Sequence, residues 1–172
     1  DAGCEILGYA SDITRTFPVN GKFSNPQKEI YEIVLNAQIQ AIASIIPGGD
    51  VNKPHEIACE IISRGLMKLG IMDDISNLRE FYMHGTGHWL GLDVHDVGAK
   101  EIDNSFRKFE VGMVTTVEPG IYIRKDDKID PKYWNIGIRI EDDVLVTIDG
   151  NHVLSEAAIK NVDDIEYLMS QS

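Results

Sequence analysis

From Ser24 to Gly49 the chain carries one unbroken helical pattern, and that pattern limits the folds open to it. Ser24 and Gln27 stand three apart as in a capping box, Pro26 suits a first turn, and Pro47-Gly48-Gly49 stops the run. Between these signals Ile30, Ile33, Val34, Ala37, Ala41 and Ile45 recur at helical spacing, giving one long apolar face. The spacing predicts a second helix over about residues 53 to 69, with Ile57, Ile61, Leu66 and Leu69 as its buried stripe and Gly70 as its stop. Two apolar helix faces need a partner layer, and the flanking segments supply it. Residues 1–19 read as a hairpin around Gly3 and Gly8, with "YASDITRTF" suited to a strand. "GMVTTVEPGIYI" reads as a strand broken at Pro119-Gly120, "IGIRIEDDVLVTIDG" as another ending in a turn, and "NVDDIEYLMSQS" as a short terminal helix. Strands before and after a helix pair predict an α+β sheet with helices packed on one face.

Composition narrows the function classes. The 172 residues fit one domain, and the contents of apolar (43%) and charged (26%) residues are those of a globular chain. A net charge of −12 argues against nucleic-acid binding, which needs clustered Lys and Arg. No apolar run approaches the ~18 residues of a membrane span, and no leader pattern opens the chain. Cys4 and Cys59 form neither a CxxC pattern nor a disulfide framework, so a reducing, cytoplasmic setting is expected.

The chemistry concentrates in "HGTGHWLGLDVHD", which holds His84, His88 and His95. His84 and His88 have the spacing of a helical zinc motif, but its HE pair is missing, and Gly85, Gly87 and Gly91 disfavour a helix. In an extended segment the two still share a face, so both are expected to look into one cleft. Asp12, Glu118 and Glu141 each stand among apolar, strand-forming residues, where a carboxylate is costly unless paired or metal-bound. Three such sites together with a histidine cluster point to a shared metal site.

These stretches, together with "DAGCEILGYASDITRTFPVNGKFSNPQKEIYEIVL", "FYMHGTGHWLGLDVHDVG", "VTTVEPGIYI" and "NIGIRIEDDVLVT", resemble bacterial aminopeptidase P over nearly the whole chain. That enzyme is the Xaa-Pro aminopeptidase of the pita-bread metallopeptidase family, which also includes prolidase and methionine aminopeptidase. The resemblance implies a truncated pita-bread fold: a curved, mostly antiparallel sheet with helices on its outer face. It implies that residues 1–172 are the C-terminal portion of the catalytic domain, without the N-terminal domain or the start of the catalytic domain. It also implies a homo-oligomeric full-length parent.

The family's ligand pattern falls on Asp1, Asp12, His88, Glu118 and Glu141. Asp12 and Glu141 would bridge two divalent ions, Asp1 would complete one, and His88 with Glu118 the other. Four carboxylates and an imidazole form an oxygen-rich set that suits Mn²⁺. The implied reaction is hydrolysis of the Xaa-Pro bond at peptide N-termini by a hydroxide shared between the ions, with Glu118 moving its proton. His95 is expected at the developing oxyanion, and His84 at the bound proline residue. Arg139, two before Glu141 on one strand face, is expected to orient that carboxylate or the substrate. Tyr122 and Trp89 are candidate walls of the substrate site or ordinary core aromatics. Prolidase and a non-catalytic binding module are the alternative readings. The fragment alone is expected to be weakly active or inactive, with Asp1 a poor ligand at a free terminus.

Overall fold

The computed structural model describes residues 1–171; Ser172, the last residue of the expected terminal helix, lies outside them. The N-terminal hairpin pairs β1 (Glu5–Ile6) with β2 (Tyr9–Ala10), and Ala2 bridges Ile13 beyond it. The rest of the expected strand is extended but joins no ladder. It serves another segment instead: Glu141 N–H donates to the Thr14 backbone carbonyl at 3.1 Å, and Arg139 N–H to the Thr16 hydroxyl at 3.2 Å.

Helix α1 (Asn25–Ala43) starts on Ser24, and the capping box with Gln27 is formed in both directions. Its buried face runs through Ile30, Val34, Ala37 and Ala41 as the spacing predicts, widened by Tyr31, Leu35 and Gln38. Helix α2 (Lys53–Lys68) buries Ala58, Ile62 and Leu66, while Ile57, Ile61 and Leu69 are only half-buried. The stripe is therefore turned by one residue from the expected one. Gly65 gives the physical reason: a Cβ there would meet Ile33 of α1 at 2.8 Å, so α1 comes close against the face that Gly65 leaves open. Gly70 ends α2 as expected, with Ile71 N–H bonded to Leu66 O and Gly70 N–H to Met67 O.

A 3₁₀ turn (Ile75–Asn77) and the short α3 (Leu78–Phe81) lead to the extended histidine segment. The small hairpin β3 (Glu101–Ile102) and β4 (Ser105–Phe106) follows. Then come β5 (Val114–Val117), β6 (Gly120–Ile123), β7 (Ile136–Arg139), β8 (Asp142–Thr147), β9 (Gly150–Val153) and α4 (Val162–Met169). Every strand pair is antiparallel. Among the described residues no helix is long and apolar enough to cross a membrane.

The main sheet is interrupted in one informative place. β5 pairs with β8, β6 pairs with β7, and the gap lies at Glu118-Pro119 and Ile140-Glu141. The register is the same on both sides: Val117 faces Asp142, and Gly120 faces Arg139. Glu118 is thereby set opposite Glu141. Proline has no N–H to give to a ladder; Ile140 N–H still crosses to Pro119 O at 3.3 Å, while Glu118 N–H turns to Thr86 O at 2.8 Å and Glu141 N–H to Thr14 O.

Alternation survives the gap. Val117, Ile121, Ile123, Ile138, Ile140, Val144 and Val146 are buried in the two apolar clusters, which α1 and α2 help to build. Tyr122, Glu118 and Thr116, with Arg139, Glu141 and Asp143, therefore point to the opposite side. One face of a broken sheet holds the helices, and the other holds the polar cluster.

Candidate metal centre

Four segments meet at the break in the sheet. His88 Nε2 lies 3.5 Å from Asp12 Oδ2 and 3.5 Å from Glu118 Oε1. Its Nδ1 is 3.0 Å from the Trp89 carbonyl, which fixes the proton on Nδ1 and leaves the Nε2 lone pair facing the two carboxylates. Ligand atoms within 4.8 Å of one another join His88, Glu118 and Glu141; Asp1, Asp12 and Glu141; and Asp12, His88 and His95. The segment can lie this close because Gly87 has no side chain: a Cβ there would sit 2.0 Å from Thr116 O. Backbone bonds from Thr116 N–H to His88 O (3.0 Å) and from Glu118 N–H to Thr86 O then align the segment along β5.

The electrostatics are those of a cluster that wants a cation. Burial pushes the Glu141 carboxyl up to about 7, and the nearby Glu118 and Asp12 charges push the same way, against the 2.6 Å hydrogen bond from Thr14 Oγ1. Asp143 behaves alike: burial, with help from Asp12 and Asp142, raises it to about 6. Its Oδ1 is buried without a hydrogen-bond partner among the described residues. A lone pair on His88 facing two carboxylate oxygens is unfavourable unless a proton or a metal ion stands between them. The donor set, four carboxylates with the imidazole of His88 among them and that of His95 beside it, therefore fits a hard divalent ion.

The chain resembles known proteins along its full length. The model of metallopeptidase family M24 matches residues 1–148. The chain belongs to metallopeptidase family M24. It is 53% identical to the Xaa-Pro aminopeptidase of Haemophilus influenzae, covering 99% of this chain and 41% of that protein. It is 44% identical to human Xaa-Pro aminopeptidase 3, with 100% of this chain and 35% of that protein covered. Pseudomonas aeruginosa aminopeptidase PepP superposes with a TM-score of 0.94 at 49% identity, over 98% of this chain and 40% of that one. A zinc-substituted Escherichia coli aminopeptidase P in complex with product gives 0.89 at 48% identity, over 95% and 39%. The chain spans about two-fifths of the length of these relatives, and the pita-bread fold expected from the sequence is theirs.

Around the M24 cluster the remaining expected residues take definite places. His84 Nε2 lies 2.8 Å from Tyr122 Oη, and its ring stands edge-on to both Tyr82 and Tyr122. His95 is exposed and packs edge-on against His88, with ring centroids 4.3 Å apart, so it adjoins the cluster itself. Arg139 is bonded to Asp1 Oδ2 at 2.6 Å and to Thr14 Oγ1 at 3.2 Å; Thr14 links it by hydrogen bonds to Glu141, on which its charge also acts directly. Trp89 packs across Phe109 against the second apolar cluster. Several contributors went unnoticed in the sequence: Thr14, Thr116, Asp143, and above all Asp142. This fully buried carboxylate accepts from Arg15 Nη2 (2.7 Å), Lys160 Nζ (2.6 Å), Gln38 Nε2 (2.6 Å) and Ser155 Oγ (2.6 Å). The run "EDD" was its only local signal, because its partners lie far away in sequence.

Proposed function

We propose that residues 1–172 form the metal-holding, C-terminal portion of the catalytic domain of an Xaa-Pro aminopeptidase that works in the cytoplasm on proline-containing peptides. The observation that carries this reading is the convergence of Asp1, Asp12, His88, Glu118 and Glu141 on one cluster at the sheet break. The names of the most similar relatives supply the substrate class. In this reading Asp12 and Glu141 would be shared between two Mn²⁺ ions, Asp1 would help hold one, and His88 with Glu118 the other. Bound there, such a pair of ions supplies an acidified water and polarises the substrate carbonyl.

The chain's own groups do the rest. Glu118 accepts the proton of the attacking water and delivers it to the departing proline nitrogen. His95, exposed beside His88, donates to the carbonyl oxygen as negative charge develops there. His84 and Tyr122, already in contact, bear on the proline residue. Arg139 positions Asp1 through their 2.6 Å pair. An Xaa-Pro bond lacks the N–H by which other proteases align substrates, and a site that grips the free amine and the carbonyl does not need it.

The test is to load with Mn²⁺ a chain extended to the length of the relatives, measure ions bound per chain calorimetrically, and compare Xaa-Pro-Xaa peptides with Xaa-Pro dipeptides. Two ions and release of the first residue from the longer peptides support the reading. Cleavage of dipeptides alone would make it a prolidase, and two ions with no cleavage a non-catalytic module.

A further inference from the structure

Beside the histidine segment, lined in part by Gly85, Thr86 and Gly87, lies a cavity of about 140 Å³. Trp89, Phe106 and Phe109 give it an aromatic lining, and His55 and Lys100 bring nitrogen atoms to its wall. The Lys100 ammonium reaches in to the Gly87 carbonyl, which is its only hydrogen-bond acceptor among the described residues. An ammonium has three N–H bonds to give, and among the described residues this one forms no ion pair, although the Glu118 charge acts on it from further off. The indole of Trp89, whose N–H edge lies beside Gly98, is buried at that N–H with no acceptor among the described residues. Burial lowers the pKa of both Lys100 and His55, against the opposing pull of the Glu118 charge on Lys100 and of the Glu56 charge on His55.

We propose that this cavity is a binding site for a small monocarboxylate with an apolar body, its anion on Lys100 and its hydrocarbon part against Trp89 and Phe109. The size agrees, since an apolar cavity of ~150 Å³ encloses a benzene ring. One cation among aromatic walls selects a monoanion with an apolar body over a phosphate, which wants several donors. The cavity adjoins the carboxylate cluster through Thr116 but shares no lining residue with the five proposed metal ligands, and its test does not depend on the proposed peptidase activity.

The experiment uses benzoate as the probe, with chelator present so that no metal ion at the carboxylate cluster binds it. The chain has two tryptophans, so ¹H–¹⁵N spectra carry two indole signals. Trp134 Nε1 already donates to Asp126 O and Ile129 O, and it serves as the internal reference. Benzoate at constant ionic strength should move the Trp89 signal along a saturating curve and leave Trp134 in place. Benzamide, of the same shape without the charge, should bind about tenfold more weakly, the difference a charge-assisted hydrogen bond makes. Lys100→Met should lose the same factor, and Lys100→Arg should retain binding. A Trp89 signal that does not respond, that never saturates, or that responds equally to benzamide would overturn the proposal.

Discussion

Replacing Asp142 by Asn tests how the site is held in place. The carboxylate is fully buried and binds two cations, an amide and a hydroxyl at 2.6–2.7 Å. Those bonds hold its pKa below the ordinary value even though burial acts to raise it. An asparagine keeps one acceptor but turns an NH₂ toward a ring of donors. Breaking a buried ion pair from one side costs about 3–5 kcal/mol. The side chains of Arg15 and Lys160 remain 13% and 22% exposed, so each cation regains some hydration, and the lower end, about 3 kcal/mol, is expected. Against a typical stability of about 5–15 kcal/mol this is a large fraction. At about 2–4 °C per kcal/mol for a chain of this length, the thermal midpoint should fall by about 6–12 °C. Urea unfolding should show a lower midpoint at unchanged slope. Arg15 Nη1 also donates to Glu141 O at 2.6 Å, so Mn²⁺ affinity should fall together with stability. A loss of less than about 1 kcal/mol would refute the reasoning, because Asp142 would then be behaving as a surface pair does.

Thr86 is buried, and its Oγ1 lies 2.8 Å from His55 Nδ1 and 2.6 Å from Tyr82 Oη; Thr86→Val should therefore cost about 1–3 kcal/mol in denaturant unfolding, and an unchanged midpoint would contradict the network. His55 has its pKa lowered by burial, so folding favours the neutral ring: its contribution is complete above about pH 6.5 and declines as pH falls below that toward its folded value. The difference in stability between the parent and His55→Gln should accordingly narrow on acidification below about 6.5, and a difference that widens would reverse the assignment. Mn²⁺ at a hundredfold its dissociation constant should stabilise the chain by about 2.7 kcal/mol, reversibly on chelation, and Glu141→Gln should reduce that gain.

The parts legible in the sequence were those encoded by neighbours. Ser24 and Gln27 announce α1 because both halves of a capping box lie within one turn, and Gly70 announces the end of α2 in the same way. The break at Pro119 was legible because proline removes an N–H wherever it stands, and strand carboxylates such as Glu118 and Glu141 are conspicuous for their desolvation cost. The orientation of α2 was not legible, because it is set by the fit of Gly65 against Ile33 on another helix. The hairpin strand read too long for a related reason: hydrogen bonds of Thr14 and Thr16 go to the strand that carries Arg139 and Glu141, more than a hundred residues away. Arg139 was expected beside Glu141 from strand alternation, and its pairing with Asp1 depends on the same long-range closure.

The most direct test is a crystal of the Mn²⁺-loaded protein with anomalous scattering measured at the manganese edge. The account predicts two peaks about 3.5–4 Å apart, with Asp12 and Glu141 touching both, Asp1 on one side, and His88 and Glu118 on the other. A single ion, or manganese bound elsewhere while His88 Nε2 still faces Asp12 and Glu118 with nothing between, would contradict it.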